Sequence, residues 1–427
     1  MCSAARGSMQ QRAIALKTIS SRRRLRSSYF CAALIGVATP VAADDSPSSP
    51  ARAAATRPRQ ALPVRVSGEM SLYSDTEAVT VFTPSLSATL GNSETEWQAR
   101  AESLVDVVSA ASVDIVSSAS PHWTEVRKAT TVDVTHHWDN VGASASVAGS
   151  IEPDYQSLAA GGEVVLELQK KTINPVFGYS FGHDIAGRTG TPFLAYSQPL
   201  DRHSLSAGVE LVLNRSTTFS VALDAVLERG DQKKPYRMLP LFSPGAASRV
   251  PAGASLALVN ELRLPARMTE RTPLERNRFA LYGRLSTRFS GATLTLDERL
   301  YSDDWGLLAS TNDARFVIDV GHRILVWVHG RSHLQTGVSF WQRAYVGSVA
   351  ASGLVQFPQY RTGDRELSPF ESLTLGPGVR YLLGLGGAFD DLALSVQSDF
   401  TYSTYRDALY LGDRSAVLAV LGLETGF

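Results

Sequence analysis

Between Arg278 and Phe289 the chain alternates. Phe279, Leu281, Gly283, Leu285, Thr287 and Phe289 interleave with Arg278, Ala280, Tyr282, Arg284, Ser286 and Arg288. Successive side chains of a β-strand point to opposite faces, so this segment predicts a strand with one greasy and one cationic face. The same period of two runs through Leu205, Ala207, Val209, Leu211 and Leu213, and through Phe219, Val221, Leu223, Ala225 and Leu227. It returns in Ala419, Leu421 and Leu423 before Phe427. No apolar run after residue 62 approaches the roughly 18 residues of a membrane helix. The longest clear one is Ala416 to Leu423.

Alternation fits a soluble sandwich and a membrane barrel equally well, and connection lengths separate them. Tight links at Gly387 to Asp391, Gly321 to Arg323, Ser290-Gly291 and Asn214 to Thr217 alternate with long ones. The long ones are Arg406 to Arg414, Tyr345 to Ser372, Ser302 to Asp313 and Arg229 to Asn277. Short turns on one rim and long loops on the other are typical of outer-membrane barrels. The fold class is therefore read as all-β, a transmembrane antiparallel up-and-down β-barrel of about 16 strands between residues 63 and 427. In the 229–277 loop, Pro235, Pro240, Pro244, Pro251, Pro265 and Pro273 disfavour regular strands. Phe289, Tyr301, Trp305, Trp341, Tyr345, Tyr402, Tyr405 and Tyr410 are expected in interfacial girdles.

The residues before the barrel change the picture of charge. The 427-residue chain is formally neutral, but residues 1–43 carry seven basic residues and no acid. Arg22 to Arg26, the apolar stretch Tyr29 to Val41 and the small residues up to Ala43 read as a signal peptide. Without it, 34 positive residues face 41 negative ones, which argues against general nucleic-acid binding. Both cysteines, Cys2 and Cys31, lie in the leader, so no cysteine chemistry is expected of the mature chain. Residues 44–62 read as a flexible periplasmic linker.

The Ser290-Gly291 turn sets a register in which Phe289 faces Ala292, Arg284 faces Asp297 and Tyr282 faces Arg299. Arg278, Arg284, Arg288, Asp297 and Arg299 are thereby expected as lumen charges, while Glu298 falls on the lipid face unless a bulge intervenes. Arginine outnumbers lysine 35 to 6, which makes an anion-selective lumen conceivable. His183, Asp184, His203 and Asp304 have ligand chemistry but no diagnostic spacing, so no metal is expected. His203 and Ser204 are adjacent on a strand and would point apart, which disfavours catalysis by that pair.

A tandem is more specific. Val105 to Ser112 is followed directly by Val113 to Ser120, with six of eight positions identical. Each copy resembles the acceptor sequence of periplasmic flavin transferases, in which case Ser112 and Ser120 would carry covalent flavin. The acceptor pattern has Gly where this chain has Ala110 and Ser118. The expectation is therefore no cofactor, with flavin as the alternative.

The clusters Gly182-His183-Asp184 to Phe193, Asp201 to Ser204, Arg215-Ser216-Thr217, Glu228 to Arg237, Asp297 to Tyr301, Asp313-Ala314-Arg315 and Ser339 to Tyr345 carry a wider resemblance. With them the chain resembles a bacterial family recorded only as a domain of unknown function and regarded as outer-membrane barrels, over roughly residues 64 to 427. The resemblance implies a Gram-negative outer-membrane location and no assigned activity. Leu421, Leu423 and Phe427 resemble the C-terminal signal read by barrel-assembly machinery, the expected partner besides outer-membrane lipids. The functional expectation is a porin-like, non-enzymatic channel for small solutes. The alternative is a non-conducting structural or electron-transfer partner barrel bearing flavin.

Overall fold

The computed structural model describes residues 25–26, 41–42, 63–91, 96–110, 123–349, 355–385 and 391–427. Most of the expected signal peptide and linker, and Ser112 and Ser120, therefore lie outside the described residues.

Sixteen strands close into one antiparallel barrel. They are β1 (Val64–Asp75), β2 (Val79–Gly91), β3 (Trp97–Ala110), β4 (Trp123–Trp138), β5 (Val141–Glu152), β6 (Tyr155–Leu166), β7 (Ile173–Ala186) and β8 (Gln198–Val212). The circuit continues with β9 (Thr217–Gly230), β10 (Glu275–Phe289), β11 (Ala292–Asp303), β12 (Leu308–Val320), β13 (Ile324–Gln335), β14 (Phe370–Leu382), β15 (Ala393–Tyr405) and β16 (Asp413–Gly426). Each strand pairs with the next, and β16 closes on β1 through Ala416↔Asp75 to Gly426↔Arg65. Closure leaves no edge strand with unpaired backbone groups, which a hydrocarbon environment demands.

The period of two sorts side chains as expected. Phe279, Leu281, Leu285 and Phe289 are exposed on the outer wall, whereas Ala280 is buried inside. Exposed Leu86, Ile151, Leu158, Phe177, Leu223, Phe400 and Val417 continue the apolar outer surface around the barrel. A band of this extent has no place in water, and lipid tails supply its solvent. The chain is a transmembrane barrel.

The rims are unequal. Residues 92–96, 139–140, 167–172, 213–216, 290–291, 321–323 and 383–392 connect strands at the rim that holds both barrel ends. The two long excursions, 231–274 and 336–369, share the opposite rim.

Several sequence expectations need correction. The Ser302 to Asp313 link shrinks to 304–307, because the Asp303 carboxylate accepts from the Trp305 and Leu307 amides, each at 3.0 Å. Gly306, at φ +89°, lets that turn close tightly. Most of the expected Gly387 to Asp391 link lies outside the described residues; β14 ends at Leu382 and β15 begins at Ala393. The proline-rich loop forms strands after all: Met238–Phe242 lies between Arg263–Thr269 and Tyr345–Val346 in a three-stranded sheet. A register shift between Pro240 and Phe242 accommodates the proline, and Pro265 lies on an edge strand, the two places where sheets tolerate it.

The expected aromatic girdle also changes. Phe289 and Tyr402 face outward, but Trp305, Tyr345 and Tyr405 are buried, Tyr301 has lumen parity, and Trp341 and Tyr410 pack with loop residues. Tyr301 and Tyr405 lie near strand ends but face inward by parity, whereas Trp341 and Tyr345 belong to the 336–369 excursion. Exposed Trp97, Trp138, Phe82, Tyr381 and Phe316 stand on the outer wall instead.

Candidate functional site: a capped polar lumen

The predicted hairpin register is observed without a bulge: Phe289↔Ala292, Arg284↔Asp297 and Tyr282↔Arg299. Arg284 grips Asp297 with both arms of its fork, Nε to Oδ1 at 2.5 Å and Nη2 to Oδ2 at 3.0 Å. The Tyr282 hydroxyl donates to the same Oδ1 at 2.8 Å. Arg278 meets Glu228 at 2.6 Å, and Arg288 pairs with Asp319. Arg299 forms no ion pair among the described residues, and its guanidinium stands 5.8 Å from the Tyr301 ring. The same unbroken register turns Glu298 to the outer wall, where the Ser310 hydroxyl donates to it at 2.9 Å.

Other polar groups extend the lumen network. His329 is 2% exposed, with Nε2 2.7 Å from Asp313 Oδ2 and Nδ1 3.6 Å from Asp399 Oδ1. Arg276 holds Asp303 at 2.9 Å through Nε and stacks 4.4 Å from Trp305, whose indole nitrogen donates to the Glu275 carbonyl. Arg202 pairs with Asp184 at 2.8 Å. Two lumen-facing glycines make room for this packing. A Cβ at Gly376 would overlap the Asp399 carboxylate, and one at Gly378 would overlap the Trp327 indole. Period-two glycines on a polar strand face are the signal that would have revealed this close approach.

A lid closes the rim opposite the chain ends. The excursions 231–274 and 336–369 pack with 406–412 around Phe242, Val250 and Val259, against which Leu409 and Tyr410 rest. Helices Pro244–Ala247 and Leu256–Leu262 are capped by Ser243 and Ser255, whose side chains accept from the Ala246 and Leu258 amides. At the centre Arg237 meets Glu270 at 3.1 Å and Asp364 at 2.9 Å. The Thr362 hydroxyl donates to Glu270 at 2.6 Å, and its amide donates to the Tyr345 hydroxyl at 2.8 Å. Burial pushes the Tyr345 hydroxyl up to about 12. Burial alone would raise the Asp364 carboxyl, but the charges of Arg237 and Lys234 outweigh it and hold the group well below the usual carboxylate range. Gln335 anchors the lid to β13 by donating to the Glu366 and Ser368 carbonyls at 2.9 and 2.8 Å.

Beneath the lid lies a cavity of about 520 Å³. Lys233, Tyr236, Glu270 and Asp364 line it from the lid, and Arg202, Glu228, Arg278, Arg299, His333 and Asp399 line it from the barrel. Charges of both signs ring it: Arg276, Arg278, Arg299 and Arg331 stand on β10, β11 and β13, Asp184, Asp224 and Glu228 stand on β7 and β9, and Arg202 on β8 lies among the acids.

The clusters outside the hairpin do not converge on a metal. His183 turns outward and pairs with Asp201 at 2.6 Å, whereas Asp184 turns into the lumen. His203 packs outside against Phe181, and Asp304 accepts from Asn277 at 2.7 Å in the β11–β12 turn. His203 and Ser204 point to opposite faces, as expected. Among the described residues, Glu125, Glu152 and Asp154 bring carboxylates within 4.8 Å of one another.

The chamber wall and lid fall largely within one recognisable stretch. Residues 196–390 match the family described as "Protein of unknown function (DUF3570)". That is the family to which the sequence clusters pointed, over a shorter stretch than residues 64 to 427 and without the cluster Gly182 to Phe193, and the matched stretch holds both lid excursions and Arg278 to Arg299. No curated protein matches the chain. Among solved structures, it is similar to the Acinetobacter baumannii protein OccAB1, with 9% identity, TM-score 0.42, and coverage of 86% of this chain and 97% of that one. It is likewise similar to a bacterial polysaccharide outer-membrane secretin, with 8% identity, TM-score 0.42, and coverage of 87% and 100%. Against the ferric enterobactin receptor PfeA the figures are 11% identity, TM-score 0.40 and 79% of this chain. The chain spans about half, 54%, of that receptor's length.

Proposed function

We propose that this chain is a Gram-negative outer-membrane barrel that admits small polar solutes through a lidded, charge-lined lumen. The observation that carries the reading is the contrast between the two faces of the wall. The outer face is apolar around the circumference, while the inner face holds ion pairs around a cavity of about 520 Å³. A wall built only for support has no need of Arg278, Arg284 and Arg299 on its inner face, where apolar filling packs without desolvating charge. Leu421, Leu423 and Phe427 are exposed on the outer face of the last strand and its end, which supports their reading as the assembly signal. Outer-membrane lipids contact the apolar wall, and neither a cofactor nor an enzymatic step enters this reading.

The lid favours a second reading, a non-conducting partner barrel, because a closed mouth blocks passive flow. Planar-bilayer recording of the purified mature barrel separates the two, with heat-dependent gel mobility confirming that it is folded. Discrete conductance steps support passage. A folded barrel that remains silent under applied voltage refutes it.

A further inference from the structure

Nearly every arginine named in the lumen has been given a carboxylate. Arg276 has Asp303, Arg278 has Glu228, Arg284 has Asp297, Arg288 has Asp319 and Arg202 has Asp184. Arg299 breaks the rule. It sits at the middle of β11, opposite Tyr282 on β10 and Thr311 on β12, and it lines the chamber. No carboxylate among the described residues lies within 4.0 Å of its guanidinium, and its Nε is buried without a hydrogen-bond acceptor. The Nε of Arg278, which lines the same cavity, is likewise buried and without an acceptor.

The charge of Asp224 on β9 reaches the Arg299 guanidinium, but from beyond ion-pair distance, and it leaves the Nε without an acceptor. The Thr311 hydroxyl is 2.7 Å from His333 Nδ1, and His333 Nε2 is 3.2 Å from Gln335 Oε1, so these neighbours are already engaged with one another. Water can fill an empty acceptor position but carries no counter-charge. A planar guanidinium presents parallel N–H groups whose natural complement is an oxyanion with two oxygens on one centre.

We infer that the chamber binds a small oxyanion, a carboxylate or phosphate group, on the Arg299 guanidinium, with the Arg278 Nε as a second donor. The inference rests on the solute-passage reading and names its solute class. The cavity of about 520 Å³ has room for a small molecule of that class.

The test is isothermal titration calorimetry of the full mature barrel in detergent, with inorganic phosphate and succinate as separate probes. Arg237→Met barrels, whose lid is expected to open, are titrated in parallel so that a closed mouth does not hide the site. Saturable one-to-one binding of at least one probe is expected. It should weaken at least tenfold in Arg299→Gln, be partly recovered in Arg299→Lys, and be unchanged in Arg406→Gln, which removes an exposed rim arginine paired with Glu371. Binding of phosphate alone assigns a phosphate ligand, and binding of succinate alone assigns a carboxylate. The inference is overturned if neither probe binds either the parent or the Arg237→Met barrel, or if Arg299→Gln binds as tightly as the parent. A barrel that conducts without binding overturns this inference and leaves passage standing. One that binds but stays silent does the reverse.

Discussion

The lid turns on Arg237, and replacing it with methionine tests whether the lid is a folded, separable unit. Arg237 is 14% exposed and neutralises two carboxylates at once, Glu270 at 3.1 Å and Asp364 at 2.9 Å, whose side chains are 2% and 12% exposed. Methionine keeps the aliphatic volume but leaves both acids buried without their shared cation. Removing one partner of a buried pair costs about 3–5 kcal/mol. At about 1.4 kcal/mol per tenfold, that raises the open population of the lid by roughly two to four orders of magnitude. Sixteen paired strands do not depend on Arg237, so the barrel should remain folded. Amide exchange along Met238–Phe242 should accelerate by that factor while β10 and β11 keep their protection, and trypsin should cut after Lys233 first, since Pro235 blocks cleavage after Lys234. The triple variant Arg237→Met, Glu270→Gln, Asp364→Asn removes the stranded charges and should recover most of the protection. Unchanged exchange along Met238–Phe242 in the single variant would refute the argument that this triad holds the lid.

Four further outcomes follow from the same geometry. Because the Asp364 carboxyl is held below its ordinary value of about 4, its stabilising contribution is present above that pH and is lost as pH falls through the depressed folded value. Lid exchange, corrected for intrinsic chemistry, should stay level from about pH 7 to about pH 4 and rise below that, and Asp364→Asn should abolish the rise. Arg284→Met strands Asp297 in the lumen at a cost of about 1–3 kcal/mol and should shift the reversal potential toward cation preference; an unchanged potential in a conducting mutant removes Arg284 from the pathway. Glu298→Leu removes a carboxylate from the lipid face and should stabilise the barrel by about 1–2 kcal/mol in urea refolding into vesicles, even with the Ser310 bond lost. Gly378→Ala forces the Trp327 indole from its seat and should destabilise the barrel by about 1–3 kcal/mol, whereas Gly245→Ala, open on all sides, should not.

The wall was legible because one rule governs it. In a strand, parity alone assigns each side chain to lipid or lumen, and a two-residue turn fixes register across a whole hairpin. From Ser290-Gly291 the pairs Arg284↔Asp297 and Tyr282↔Arg299 followed without knowledge of any other strand. The same rule placed Glu298 outside, and the strand keeps it there. Parity did not reveal who approaches whom across two or three strands. His329 between Asp313 and Asp399, and Trp327 over Gly378, are set by side-chain length and by the absence of a Cβ, neither of which alternation encodes.

The lid was illegible for a different reason. Its three-stranded sheet joins residues 238–242 to 263–269 and to 345–346, so its stabilising contacts cross two excursions that the sequence separates by four barrel strands. Prolines in the first excursion argued against strands because proline removes a ladder donor, yet a short sheet needs only some of its donors. Pro240 sits where the register already breaks, and Pro265 lies on an edge. The charged triad compounds the difficulty. Arg237, Glu270 and Asp364 lie in loops whose composition reads as solvated, and only the packing of Leu239, Met268 and Tyr345 in the lid sheet makes their burial intelligible. A chain that buries three charges in a loop has specified that loop's closed shape, since any opening that separates Arg237 from Glu270 and Asp364 exposes charges whose partners are lost.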